Sequence, residues 1–566
     1  MSAAGALSDV RLLHDCRVPL RDGLSLSADV YLPLDRGPFP TVVQWTPYES
    51  TRDRFVAWGV FYAERGYAAV VVDVRGRYES DGEFAAYTRD GEDAFDTLEW
   101  VAGREWCSGR IGTWGRSYGA IVQWQLAPLA HPAVACMAPH VIMDDYFADC
   151  HYVGGAFQLG LSLGAALIWS TSIGAVTGER AGRLMLNPRV LRHLPLAELD
   201  VQAIGREVAC WREWLAHPVD DQYWQAIRHR PEAMTVPVFQ QCGWYDAYAG
   251  STMRTSQALD GHVPQRVLMG PWSHEEEHTR VVGGHDFGPA ASRVIREDDL
   301  RWYDQWLKEL DTGILDEPPI SLFVMGANRW RRESEWPLPG TVFTPWYLRS
   351  GGRANSHPGD GRLSVDAPGA GEPADTYEYD PADPVPTVGG NNSILTMTQH
   401  ALEPVLPGPA DQRPVERRDD VLCYTSEPLD EDVEVTGPVE AVLYAASSAR
   451  DTDFIVRLSD VQPDGPALFL CEGILRARYR HGLDRMELLE PGEVAEYRIR
   501  MYPTSNLFRR GHRIRIDVTS SSFPRFSRNL NTGEDVATGT RMEVARQTLL
   551  HTHEHPSHVL LPVVPS

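Results

Sequence analysis

The segment "IGTWGRSYGAIVQW", residues 111–124, carries Gly115-Arg116-Ser117-Tyr118-Gly119. A glycine two places either side of a serine is the spacing of a nucleophile elbow. There the serine sits on a sharp turn between a strand and a helix, and the glycines relieve crowding where the two pack. A serine hydroxyl is a weak nucleophile at neutral pH, so it needs a base within hydrogen-bond reach and an acid that orients the base. Two later residues stand in matching contexts. Asp246, in "CGWYDAY", ends one short apolar run, and His274, in "GPWSH", ends the next. Serine, acid and base in this order, each at the end of a strand-like run, fit acyl transfer through a covalent intermediate. Each also has a structural reading: a polar residue in a glycine turn, a turn aspartate, and a histidine competing with His262, His278 and His285.

The same stretch offers a rival chemistry. "HEEEH", residues 274–278, fits the H-E-x-x-H pair of zinc ligands, with Glu275 as general base and Glu297 as a third ligand. That motif needs a helix with both histidines on one face. Gly270-Pro271 stand just before it and Gly283-Gly284 close behind, and three successive glutamates leave no apolar face to seat a helix. A solvated loop is expected there, with no metal and no organic cofactor.

The elements that must position these residues alternate in type. "PTVVQWTPY" (Pro40 to Tyr48) and "YAAVVVDVRG" (Tyr67 to Gly76) are β-branched runs closed by turn signals, as buried strands are. "DGEDAFDTLEWVAGREW" (Asp90 to Trp106) has helical spacing with acids in its first turn, then "GRIGTWG" supplies a strand and "SYGAIVQWQLAPLA" a helix. Strand and helix in turn imply a parallel sheet covered by helices. From 146 to 230 helix follows helix, including the nearly all-apolar "AFQLGLSLGAALIWSTSIGAV". Strand signals return at "TVPVFQQCGWYDAY" and "QRVLMGPWSH", and "REDDLRWYDQWLKEL" is a further amphipathic helix.

Past residue 350 a Gly- and Pro-rich stretch marks a boundary, and short alternating runs such as "AEYRIRMY" and "HRIRIDVTS" predict an antiparallel β-sandwich. In the latter Arg513, Arg515 and Asp517 face one way and Ile514, Ile516 and Val518 the other. The expected division is an α/β core over 1–145 and 231–349, a helical insertion over 146–230, and a sandwich over 350–566.

A chain of 566 residues exceeds one hydrophobic core, which agrees with several domains. A formal charge of −25 argues against nucleic acid or an anionic membrane as partner. Lys308 is the one lysine, which leaves Schiff-base chemistry a single, poorly placed candidate. The start of the chain has no apolar run of signal-peptide length, and no later stretch reaches the roughly 20 apolar residues of a membrane span. Eight scattered cysteines without a CxxC pair read as thiols. A cytoplasmic protein is expected.

With these residues in hand the chain resembles the bacterial cocaine esterase family (CocE/NonD hydrolases), relatives of X-Pro dipeptidyl peptidases and α-amino acid ester hydrolases. The blocks that carry the resemblance run along nearly the whole length. They include "VPLRDGLSLSADVYLP", "TPYES", "VVVDVRGRYESDGEF", "GRSYGA", "GWYDAY", "GPWSH", "YDPADPVPTVGG" and "GHRIRIDVTSSSFPRF". The resemblance implies an α/β-hydrolase domain with an inserted helical cap and a C-terminal jelly roll. It implies the triad Ser117, Asp246 and His274, and an oxyanion hole made by the Tyr48 hydroxyl and the Tyr118 amide. It also implies an acyl pocket walled by Trp169 and Tyr248. Tyr248 stands where cocaine esterases carry phenylalanine, which implies a hydroxyl in a pocket suited to a benzoyl group. Left unpaired, that hydroxyl would disfavour apolar acyl groups.

The expected activity is a serine carboxylic-ester hydrolase acting through an acyl-enzyme on small esters with aromatic or medium acyl groups, compatible with a homodimer. An X-Pro dipeptidyl peptidase or a β-lactam or amide acylase would share the triad. Relatives that hold a substrate ammonium do so with carboxylates soon after the catalytic aspartate, whereas here Ala247, Tyr248 and Ala249 follow Asp246. A carbohydrate- or partner-binding protein is the reading that a β-sandwich alone would suggest.

Overall fold

The computed structural model describes residues 10–170, 187–274, 279–392 and 406–565. Ten strands build the first sheet: β1 (Val10–Pro19), β2 (Ser25–Pro33), β3 (Phe39–Thr46), β4 (Ala68–Asp73), β5 (Cys107–Arg116), β6 (Val134–His140), β7 (Val238–Tyr245), β8 (Gln265–Ser273), β9 (Ile320–Val324) and β10 (Arg329–Glu333). Their order is β1-β2-β4-β3-β5-β6-β7-β8-β9-β10. Neighbours from β4 to β9 pair in parallel, and the hairpins at either end pair antiparallel. β4, "AAVVVD", antiparallel to β2 and parallel to β3, is buried at every position, as an interior strand with both faces covered must be.

Helices α1 (Asp53–Ala63), α2 (Asp90–Ala102), α3 (Tyr118–Leu126), α5 (Ala249–Leu259) and α6 (Ile295–Leu307) supply most of the cover, while α4 (Leu159–Trp169) lies in the segment between β6 and β7. Side chains along a strand point to alternate faces. Thr113 of β5 bonds Gln123 of α3 at 2.7 Å, while the next residue, Trp114, bonds Asp299 of α6 at 3.0 Å and packs its ring 5.0 Å from that of Trp58 in α1. The sheet therefore lies between α3 on one face and α1 and α6 on the other. The strands and helices expected over 40–124, 235–274 and 296–310 all form.

Between β6 and β7 the chain leaves the sheet. It makes a π-helical turn at Tyr146–His151, then α4, and after it the short helices Pro188–Leu191, Leu199–Ile204, Ala209–Ala216 and Gln222–Ile227. α4 is apolar around its circumference and buried on every side but one, as that composition predicts. The later part of that apolar run, from 171, lies outside the described residues. Two two-residue strands, Tyr152–Val153 and Ala156–Phe157, also form here, where no strand is expected.

The C-terminal part is a set of largely antiparallel strands. Its first strand, Val342–Arg349, precedes the expected boundary at 350, because Val342–Tyr347 pairs with the last strand, His558–Val564. The alternation at 513–518 does not separate core from solvent. Asp517 is fully buried, and the Arg515 guanidinium meets Glu416 at 2.5 Å, so the polar side faces an ionic cluster inside the protein. Among the described residues, which include every cysteine, no disulfide forms, and no helix is long and apolar enough to cross a membrane.

Two buried histidines flank the helical segment. His151 stacks on Trp214 with ring centroids 4.0 Å apart, and His229 bonds the Tyr146 hydroxyl at 2.8 Å. Burial pushes both imidazoles down to about 3 from the usual 6.5. Below about pH 6.5 the unfolded chain therefore binds protons that the folded chain refuses, and stability is lost as pH falls. Each histidine is expected to cost about 1.4 kcal/mol per pH unit below that point. Thermal melts from pH 7.5 to 5 should show the melting temperature dropping, with a shallower drop in a His151→Gln/His229→Gln variant. A melting temperature level down to pH 5 would contradict neutral buried imidazoles.

Candidate active site

Ser117 lies between the last residue of β5 and the first of α3, with φ 55° and ψ −115°. That backbone is strained for a residue with a Cβ and costs on the order of 1–3 kcal/mol. It persists because its surroundings fix it. The Ser117 N–H donates to the His140 carbonyl of β6 at 3.1 Å, and its own carbonyl accepts from Ala120 and Ile121 in α3. A Cβ on Gly115 would meet the Gly119 backbone at 2.5 Å, and one on Gly119 would meet the Trp45 carbonyl at 2.9 Å. The two glycines of the motif are what let helix and strand come this close.

Asp246 follows β7 and His274 follows β8, neighbouring parallel strands. The His274 Nδ1 lies 2.8 Å from Asp246 Oδ2, with Asp246 fully buried and His274 nearly so. The other carboxylate oxygen accepts the Tyr248 N–H at 2.8 Å. This leaves Nε2 as the imidazole nitrogen free of Asp246, the arrangement a general base needs. Parallel pairing places the ends of β3, β5, β7 and β8 on one edge of the sheet, so Tyr48, Ser117, Asp246 and His274 share it.

Beneath that edge Asp299 of α6, fully buried, receives the Trp114 indole at 3.0 Å and the Gln241 amide at 2.8 Å, and lies 3.1 Å from His140 Nε2. One carboxylate thus ties β5, β6 and β7 together just below the turns they carry.

Tyr118 is the first residue of α3, so its N–H is one of those that no helical carbonyl accepts. Its buried side chain points away into the protein, where the hydroxyl donates to Asp90 at 2.8 Å and accepts the Tyr87 N–H at 3.2 Å. Burial raises the Asp90 carboxyl to about 7. Trp169, at the end of α4, packs edge-on against the Tyr118 ring at 5.3 Å. Arg77, buried, donates to the Trp169 carbonyl at 2.6 Å and the Pro47 carbonyl at 3.0 Å, which joins the helical segment to the turn bearing Tyr48. Spacing had given no sign of Asp90, Arg77 or Asp299, because each acts through contacts distant in sequence.

The Tyr248 ring stands edge-on to the His274 ring at 5.6 Å. Its hydroxyl lies 3.7 Å from the Cys150 sulfur, so the condition under which it would disfavour an apolar acyl group, a hydroxyl without a partner, is not met. The phenol is pushed well above its usual range, chiefly by burial, then by Cys150, with Asp246 and Tyr48 also contributing. Tyr48 itself is half-buried, with the Arg54 guanidinium 5.2 Å from its ring.

Of the rival histidines, His262 is exposed in the loop leading into β8, at the opposite end of that strand, and His285 packs on Phe287. Of the zinc-like motif only His274 is described; residues 275–278, which include Glu275 and His278, lie outside the described residues. Glu297 sits exposed on α6.

Gly115→Ala should force helix and strand apart and lower stability by about 1–3 kcal/mol. Gly103→Ala, whose Cβ would meet only ordinary contacts at 3.5 Å or more, is the control expected to melt near wild type. Equal melting temperatures for the two variants would contradict the close approach at the elbow.

Residues 22–276 match the X-Pro dipeptidyl-peptidase (S15 family) model, and residues 312–560 match the X-Pro dipeptidyl-peptidase C-terminal non-catalytic domain. The chain is 40% identical to the cocaine esterase of Rhodococcus sp. (strain MB1 Bresler) over 580 aligned positions, covering 97% of each. An α-amino acid ester hydrolase structure superposes with a TM-score of 0.85 at 25% identity, over 100% of this chain and 98% of that one. An aminopeptidase from a marine sediment archaeon, Thaumarchaeota archaeon, superposes with a TM-score of 0.86 at 26% identity, over 98% and 97%. An S15-type α/β domain followed by an all-β domain, together with 40% identity end to end, makes this chain a member of the cocaine esterase (CocE/NonD) family of serine hydrolases.

Proposed function

We propose that the chain is a serine carboxylic-ester hydrolase working through an acyl-enzyme. The observation that carries this reading is the Asp246–His274 pair at 2.8 Å on the same sheet edge as the strained turn of Ser117. The 40% identity to a cocaine esterase supports it. In the reaction Ser117 Oγ attacks the ester carbonyl carbon while His274 Nε2 takes its proton. Asp246 holds the imidazole in the tautomer with Nδ1–H and stabilises the imidazolium. The tetrahedral oxyanion is held by the Tyr118 N–H and the Tyr48 hydroxyl. These donors gain strength as charge develops and so lower the barrier rather than only binding the substrate. His274 returns the proton to the leaving alcohol, the acyl group stays on Ser117, and water activated by the same imidazole releases the acid.

The helical segment over 146–230 serves as a cap on this edge, and the C-terminal strands form a jelly roll that walls the cleft. Contacts across these parts support that reading. Arg77 bonds the end of α4, the Tyr245 hydroxyl donates to the Phe469 carbonyl at 3.1 Å, and Arg500 meets Asp149 at 3.0 Å. Trp169 and Tyr248 line the acyl side, and aromatic or medium acyl groups suit that surface. The partner is a small ester. A second reading, cleavage of X-Pro peptides or amides by the same triad, draws on the names of the matching family models. Ala247 and Ala249, both buried beside Asp246, offer no carboxylate to hold a substrate ammonium, which favours the ester.

Ser117→Ala is expected to lower kcat on nitrophenyl and benzoyl esters by roughly 10⁴- to 10⁶-fold. A serine-directed phosphonate should label Ser117, and EDTA should leave hydrolysis unchanged. Loss of activity to EDTA with Ser117 unlabelled would overturn the assignment in favour of a metal site. Faster turnover of an anilide than of its matched ester would favour the second reading.

A further inference from the structure

The turn that carries Tyr48 is held in an unusual way. Pro47 and Tyr48 follow β3, and Glu49 has φ 75°, a left-handed backbone that costs a non-glycine residue roughly 1–2 kcal/mol. The Tyr48 N–H donates to Thr46 Oγ1 at 2.9 Å, and Arg77 grips the Pro47 carbonyl. Beyond the strained residue Ser50 turns inward and is buried between two carboxyl groups, Asp29 of β2 and Asp73 at the end of β4, both themselves buried. Its N–H donates to Asp73 Oδ1 at 2.9 Å. Its hydroxyl lies 2.9 Å from Asp29 Oδ2 and 3.1 Å from Asp73 Oδ2.

A hydroxyl has one hydrogen to give, and an ionised carboxylate has none. Two carboxyl oxygens within hydrogen-bond distance of one hydroxyl are each given a full bond of their own only when one of the acids carries a proton. The distribution of donors says which. Asp29 already accepts from the Asp15 N–H at 3.1 Å and faces the His14 ring at 2.6 Å, whereas among the described residues Asp73 has only Ser50 on its carboxyl oxygens. Among the described residues no arginine or lysine pairs with either. Burial raises the Asp73 carboxyl to about 7, against the pull of its Ser50 bonds, with Asp29 and Glu49 adding to the rise. The chain then runs from Asp73 O–H to Ser50 Oγ, and from Ser50 O–H to Asp29. The charged and titratable groups facing it are His14, Asp15 and Cys16 from β1, Tyr31 from β2 and Glu49 from the turn, with Glu79 beyond β4 acting on His14.

We propose that Ser50, held between Asp73 and Asp29 by a single shared proton, is the positioning residue that fixes Tyr48 for catalysis. The inference rests on the reading of Tyr48 as an oxyanion donor. A buried, doubly anchored residue two places along the chain removes the freedom of the turn to relax away from its strained conformation. The tyrosine hydroxyl is thereby set before substrate arrives. Such preorganisation acts on the transition state, so its loss lowers kcat and leaves KM nearly unchanged.

A double-mutant cycle on a nitrophenyl ester tests this. Tyr48→Phe should lower kcat by roughly 10²- to 10³-fold, and Ser50→Ala by roughly tenfold or more with KM within about twofold. Adding Ser50→Ala to Tyr48→Phe should cost nothing further, since the hydroxyl it positions is gone. An equal loss in both backgrounds would show that Ser50 acts elsewhere and overturn the inference, while Tyr48 keeps its role. No loss in Tyr48→Phe would overturn the oxyanion reading, and this inference with it. Should Ser50→Ala fail to fold, Asp73 supplies a second comparison. Asp73→Asn keeps a donor for the Ser50 hydroxyl and an acceptor for its N–H, so it should retain roughly tenfold more kcat than Asp73→Ala. Equal kcat in the two Asp73 variants would rule out the shared proton.

Discussion

Everything at the working edge depends on one strained backbone. Ser117 adopts a left-handed conformation that its side chain disfavours, and it does so because the end of β5 and the start of α3 touch through two glycines. The helix begins directly after this turn, which leaves the Tyr118 N–H, one residue later, outside the helical hydrogen-bond pattern. The Ser117 turn and the Tyr118 N–H are thus products of one local geometry. The rest of the α/β part can be understood as what it takes to keep that geometry from relaxing.

Buried polar groups carry much of that load. Asp299 ties three adjacent strands under the edge, Asp90 holds the Tyr118 side chain, Arg77 joins the Tyr48 turn to Trp169, and Asp149 meets arginines from α5 and from the C-terminal strands. Ions and amides in a low-dielectric interior are costly unless every partner is in place. They therefore specify one arrangement of strands, helical segment and C-terminal part more sharply than apolar contacts would. The same logic runs through the C-terminal strands, where Arg515, Glu416 and Asp517 occupy the face that alternation would have given to water.

Much of this molecule was open to reading from the order of its residues. The elbow motif, the strand ends at Asp246 and His274, the helical stretch after 146 and the alternating runs of the C-terminal part each follow from local periodicity and turn chemistry, which depend on neighbours in the chain. What escaped was of another kind. The β1–β2 hairpin and the strand at Val342–Arg349 are recruited by pairing with distant segments. The Tyr248 hydroxyl found Cys150, ninety-eight positions away.

By itself the sequence determined the residue types available for acyl transfer, their order, and the alternation of strand and helix that brings successive strand ends to one edge. Tertiary structure alone decided which histidine meets Asp246, which carboxyl groups are buried together, and that Ser50 stands between two of them. The reason is physical. Periodicity and turn preference act over a few residues, whereas a hydrogen bond between buried groups exists only once the chain has folded and water has been excluded from both.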